Sequence, residues 1–180
     1  KTKGLVMSEV SNEMMTTKSN RKIWISGIVG VVIGFVLCGI IMFMAMPSLM
    51  IVTRESKLGF DKTVAALEKR IPEHGWVVSG GKAIDMNKAM AEHGGVTFKP
   101  RVKLVKLCKA EYAKSVLTTD RHISCMMPCT MAVWEADDGK VYLSEINMSL
   151  MAKMFGGNIA KVMGQKVVHD EEKMLEGLLK

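Results

Sequence analysis

Residues 23–46 read I-W-I-S-G-I-V-G-V-V-I-G-F-V-L-C-G-I-I-M-F-M-A-M, and no charged side chain occurs anywhere from Ile23 to Thr53. At about 1.5 Å of rise per residue, a helix of this length covers roughly 36 Å, enough to cross a hydrocarbon core of about 30 Å with some tilt. Trp24 stands at the entry, where an amphipathic ring suits the headgroup layer. Pro47 is expected to end the run, because its ring removes a backbone donor and clashes with the preceding turn. The run exceeds the apolar core of a secretory leader, typically about 7–15 residues, and Met44-Ala45-Met46 is a poor cleavage site. An uncleaved anchor follows. The chain then divides into a tail (1–22), a transmembrane anchor (23–47) and a domain (50–180).

Outward from the anchor, the flanks set an orientation. Lys18, Arg21 and Lys22 crowd its N-terminal side, whereas Arg54 and Lys57 on the other side are opposed by Glu55. The positive-inside rule places the tail in the cytoplasm and the domain outside, periplasmic in a Gram-negative cell. The net charge of +7 divides between tail and domain. A basic tail favours anionic lipid of the inner leaflet. The positive charge of the domain is too dilute to argue for nucleic acid. The lipid bilayer is therefore an expected partner, and nucleic acid is not. Within the anchor, Ser26, Gly30, Gly34 and Cys38 recur every fourth residue. Small residues in that register let another helix approach closely, either a copy of the same chain or a helix of a larger membrane protein.

The remainder alternates between short strands and helices. Hydrophobic residues make up 48% of the chain, which excludes disorder, and no glycine period, sustained heptad or repeat is present. A short strand leaves the anchor at Leu49–Val52. Phe60, Val64, Leu67 and Ile71 then recur at helical spacing, and Pro72 and Gly75 close that helix. Trp76–Val78 and Ala83–Met86 read as strands around Gly80-Gly81, and Asn87 as the cap of a short helix through Glu92. Val102–Cys108 is a strand and Glu111–Leu117 a helix. Met131–Glu135 and Val141–Glu145 flank the turn Asp137-Asp138-Gly139-Lys140 and predict a hairpin. Two helices, Ser149–Phe155 and Ile159–Leu179, finish the chain. This order predicts an α+β fold, a small mixed β-sheet with helices packed on one face. Such a domain is long enough to bury a core without disulfide staples.

The sulfur-bearing residues are where chemistry could reside. Cys38 belongs to the anchor, while Cys108, Cys125 and Cys129 lie in the domain. Cys125-Met-Met-Pro-Cys129 is one residue longer than the redox C-x-x-C motif and lacks the histidine of a c-type haem site, so covalent haem is excluded. Three uses stay open. Cys125 or Cys129 could pair with Cys108 as a structural disulfide. Thiolates together with Met126, Met127 or Met148 would form a soft site suited to Cu(I). An exposed thiol near Lys109 or Arg121 could carry redox or sulfur-transfer chemistry. His122 extends the set without matching a zinc spacing. His74, His93 and His169, and the run Asp170-Glu171-Glu172, read as solvated surface. No P-loop, G-x-S-x-G, H-E-x-x-H or catalytic carboxylate pair is present, and no catalytic residue is assigned.

Leu104–Leu117 (L-V-K-L-C-K-A-E-Y-A-K-S-V-L), Met126–Glu135 (M-M-P-C-T-M-A-V-W-E) and the D-G-K-V hairpin together resemble the domain-of-unknown-function 302 family. Members of that family show an apolar strand ending in Cys, a helix, then Pro-Cys leading into a strand. The resemblance covers nearly all of Met50–Leu179 and implies a small α+β domain of a kind that forms homodimers. Carried over by position, Cys108 and Cys129 are the family's cysteines and Cys125 is an addition. Where the family often has Asn-Pro after its first Cys, this chain has Lys109-Ala110. The family brings no established activity, and some members occur in sulfur- or redox-related contexts.

The expectation that follows is a single-pass, membrane-anchored extracytoplasmic binding or accessory subunit without turnover. It would belong to a homodimer or a larger membrane assembly, an electron-handling one among the options. The rival reading is a thiol-based redox, sulfur- or Cu(I)-handling protein acting through Cys108 and Cys129. Its candidate ligand site comprises Cys108, Cys125, Cys129, Met127 and Met148.

Overall fold

The computed structural model describes residues 27–180. The tail, Trp24 and Ser26 lie outside the described residues. The chain separates into two compact units that divide between Pro47 and Ser48.

Helix α1, Gly27–Met50, is long and apolar enough to span a membrane. Pro47 lies inside it, where a break is expected. A proline forfeits one backbone donor, but its fixed φ is already helical, so the last turn can continue past it. The strand that follows accordingly starts at Ile51, two residues later than the sequence suggests.

The second unit runs β1 (Ile51–Glu55), α2 (Phe60–Glu73), β2 (Val77–Val78), β3 (Ile84–Asp85), α3 (Met86–Gly94), β4 (Val102–Cys108), α4 (Ala110–Thr119), a 3-10 turn (Arg121–Met126), β5 (Cys129–Glu135), β6 (Val141–Ile146), α5 (Met148–Phe155), α6 (Gly157–Lys161), a π-helical stretch (Val162–Val167) and α7 (Val168–Leu175). The strands form one six-stranded sheet in the order β1-β6-β5-β4-β2, with β3 also pairing with β4. Every pairing is antiparallel, so the α+β class holds but the sheet is not mixed. A parallel neighbour would require the β4–β5 connection to cross back over the sheet. Instead α4 and the 3-10 turn pack on each other and return the chain to the end it left.

Period-2 alternation supplies the core face. Val105 and Leu107 of β4, Met131 and Val133 of β5, and Val141 and Leu143 of β6 are all buried. Helix α2 lays Phe60, Thr63, Val64, Leu67 and Ile71 on this face, the stripe its spacing predicts. Val162, Val167, Met174 and Leu178 extend the same core from the C-terminal segment. Two local expectations change. Asp85 rather than Asn87 caps α3, accepting a 3.0 Å bond from Lys88 N. Asn87 donates instead to Phe98 O and Pro100 O and accepts from Val102 N, which ties the loop to β4. The final helix stops at Leu175, and the chain turns back through Gly177 (φ 71°) so that Leu179 pairs with Ser56. Glycine suits that turn because positive φ costs it nothing.

Candidate functional site

Cys108 is the last residue of β4 and Cys129 the first of β5; Leu107, one position before Cys108, is the cross-strand partner of Cys129. The hairpin-like pairing thus brings the two cysteines to one end of the sheet. Both are free thiols, as are Cys38 and Cys125. The Met127–Pro128 peptide before Cys129 is cis.

Cys108, Cys129 and Met127 line one cavity, to which Met163 of the π-helical stretch adds a second thioether. The remaining wall is apolar or aromatic, including Trp76, Tyr112 and Val116. Its free volume is about 20 Å³. Roughly 10–15 Å³ on this measure holds one water, so the cavity has room for a water or a single ion and not for an organic substrate.

A polar cluster closes the rim. Asp170 Oδ2 accepts from Trp76 Nε1 at 3.0 Å and from Lys109 Nζ at 3.1 Å. The Lys109 ammonium also stands 4.5 Å from the centroid of the Tyr112 ring, which meets Trp76 edge to face. Burial works against a charge on Asp170, but the donors on its carboxylate outweigh it and hold the group below its usual range. Asp170 is therefore a buttress of this rim and not the solvated residue its acidic neighbours suggest.

The electrostatics of the two thiols differ. Burial, reinforced by the carboxylate of Glu171 and by Cys108, pushes Cys129 up to about 12. A nucleophilic cysteine needs a thiolate, and Cys129 stays protonated at neutral pH. Cys108 is half-buried.

Two residues of the sequence-derived set stand elsewhere. Cys125 is exposed in the 3-10 turn, where its thiol donates to His122 O at 3.4 Å. Met148 is buried but lines a different cavity, beside Arg54, Glu145 and Glu171. In α1, a Cβ added at Gly30 or Gly34 would meet nothing within 4 Å among the described residues, and Cys38 is exposed. Sequence reasoning missed Glu171, which is buried within an acidic run. The signal was present: Glu171 lies four residues after Val167 and four before Leu175, both buried.

No curated protein matches the chain. A crystal structure of an uncharacterized conserved DUF302 protein from Bacillus stearothermophilus superposes with a TM-score of 0.60 at 16% identity, covering 71% of this chain and 97% of that one. At that identity the likeness is one of fold. The sequence profile of a domain of unknown function, DUF302, matches residues 52–179, from β1 to the residue that closes on Ser56. With most of its length matched in this way, the chain belongs to the DUF302 family.

Proposed function

We propose that the chain is a single-pass membrane-anchored subunit whose domain binds or supports a partner on the extracytoplasmic side, without catalytic turnover. The observation that carries this reading is α1, whose apolar side chains from Ile28 to Met44 face outward. A stripe of that length has no favourable place in water. The lysines and arginines of residues 1–22 support an inside tail. Absence of turnover is supported by the protonated state of Cys129 and by a cysteine cavity too small for an organic substrate. The small residues Gly30, Gly34 and Cys38 are the face through which the helix would meet a copy of itself or another membrane helix. Protease added to spheroplasts tests the topology: it should remove residues 54–180 and leave the tail protected, and a protected domain would reverse the assignment.

A second reading rests on a specific observation, the two thiols and two thioethers of Cys108, Cys129, Met127 and Met163 around one cavity of ionic size. That donor set suits Cu(I), which favours soft sulfur ligands. Binding would displace the proton of Cys129, so affinity would rise with pH. Titration of the full chain in detergent with Cu(I) against a competing chelator decides it. Metal retained by the wild type and lost in Cys129→Ser supports this reading, and equal retention by both removes it.

A further inference from the structure

Three charged residues occupy positions that the periodicity of their own elements turns toward the core. Across β1 and β6, Val52 pairs with Glu145 and Arg54 with Leu143, so these four share a face. Across β6 and β5, Glu145 pairs with Met131 and Leu143 with Val133, which identifies that face as the buried one. On α7, Glu171 continues the stripe of Val167 and Leu175 and is 8% exposed.

Their polar atoms are not all used. Arg54 and Glu145 form an ion pair, yet Arg54 Nε and Glu145 Oε2 are buried without a hydrogen-bond partner. Native structures seldom leave two such atoms together in a protein interior unless something satisfies them. Glu171, 8% exposed, reaches the cavity beside them from α7. Here the three residues surround a cavity of about 160 Å³, walled further by Val52, Met148 and Val168, with exposed Glu172 at its edge. It has room for a small organic molecule or several waters. Acceptors predominate in it, and the one arginine is already neutralised by Glu145. An anion would face two carboxyl groups. Among the described residues, no group of three or more His, Cys, Asp or Glu is placed to hold a metal.

We propose that this cavity is a binding site for a small organic cation, a primary ammonium carrying a short apolar tail. Its N–H donors would lie between the Glu145 and Glu171 carboxyl groups, with the tail against Val52, Met148 and Val168. The site is separate from the cysteine cavity and does not depend on the function proposed for that cavity. Binding is linked to a proton. Glu171 faces Arg54 on β1, Cys129 on β5, Glu145 on β6 and its neighbour Asp170, with Glu172 at the cavity edge; burial foremost, then Glu145, raises it to about 8. Near neutral pH an entering ammonium replaces the Glu171 proton, which passes to buffer, and the charge in the cavity is conserved.

The test is calorimetric titration of the full chain in detergent with butylammonium chloride, in two buffers of different ionisation enthalpy. The expected result is millimolar binding, the range for a ligand of about five heavy atoms, with close to one proton released. Glu171→Gln should weaken binding at least about tenfold and abolish the proton release, because a carboxamide keeps the shape and loses the charge. Val52→Phe, with all carboxylates intact, should exclude butylammonium by filling the apolar wall. Sodium butyrate should not bind. Failure of butylammonium to bind the folded wild type, equal affinity in Glu171→Gln, or binding of butyrate in its place would overturn the proposal.

Discussion

A buried carboxyl held neutral in the folded state makes stability depend on pH in a definite direction. Glu171 keeps its proton until about pH 8 in the fold, whereas its ordinary value is 4.5. Between those two values the unfolded chain has lost the proton and the folded chain retains it. The unfolded state thus binds fewer protons, and unfolding becomes easier as pH rises. The slope is about 1.4 kcal/mol per pH unit for one proton. Across the window the loss is bounded at about 5 kcal/mol, and relaxation around the carboxyl would reduce it to about 2–3 kcal/mol. Below the window, Asp170, Asp61 and Asp138, all held below their usual range, take over and make acid destabilising. Above it Cys129, raised to about 12, adds a further decline as free thiols ionise. Urea titrations of the full chain in detergent, read by tryptophan emission at steps from about pH 5 to 8.5, follow Glu171 together with Glu145, which burial also raises, and the Glu171→Gln variant separates the two. Wild type should lose stability steadily through this range, and Glu171→Gln should fall less steeply and be the more stable of the two at the upper end. A flat wild-type profile, or an equal slope in the variant, would refute the burial argument.

Other perturbations separate packing, pairing and thiol character. Arg54→Met strands the Glu145 carboxylate, whose side chain is 11% exposed, and should cost about 2–3 kcal/mol by urea midpoint. The double variant Arg54→Met/Glu145→Leu should recover most of that loss, since neither charge is then buried alone. Leu67→Ala removes a fully buried side chain under the sheet and should cost about 3 kcal/mol in the same assay. With iodoacetamide near neutral pH, exposed Cys125 should alkylate at least about a hundredfold faster than Cys129, read by peptide mass spectrometry, because little of the Cys129 thiolate exists. Fast labelling of Cys129 in the folded chain would contradict its burial.

Local signals are reliable where one physical effect dominates. Phe60, Val64, Leu67 and Ile71 place α2 because a single stripe meets a single core face. The bounds of β4 are those its alternation implies, and Gly139, with φ 79°, closes the β5–β6 hairpin where Asp-Gly predicts a turn. The direction of the β4–β5 connection is not legible in this way. Strand, helix and strand in succession suggest a crossover, and only the packing of α4 on the 3-10 turn, a contact without a sequence pattern, makes the pair antiparallel. The change of helix type inside Ile159–Leu179 is similarly hidden: the π-helical stretch Val162–Val167 follows α6 and leads into α7 without interruption.

The candidate sites divide along the same line. Cys108 and Cys129 come to one end of the sheet because Cys108 ends β4 where its alternation implies and β5 starts at Cys129, two residues before the expected Met131, with Leu107 opposite Cys129 in the antiparallel register. Met148 follows β6 at the same end of the sheet as Cys129, but β5 stands between β6 and β4, and Met148 lines the cavity on the β1 side, beside Arg54 and Glu145. The Arg54–Glu145–Glu171 cavity was concealed by treating charge as a mark of the surface. Charge and periodicity conflict at all three positions, and periodicity prevails at each. Val52 and Arg54 alternate with Thr53 and Glu55; Val141, Leu143 and Glu145 alternate with Tyr142 and Ser144; Val167, Glu171 and Leu175 share one helical stripe. An isolated charge on a core-facing position is costly enough that a fold seldom keeps it without a partner. Three of them converging on one cavity from β1, β6 and α7, with donor and acceptor atoms still unpaired, indicate a pocket shaped for something polar rather than a defect in packing.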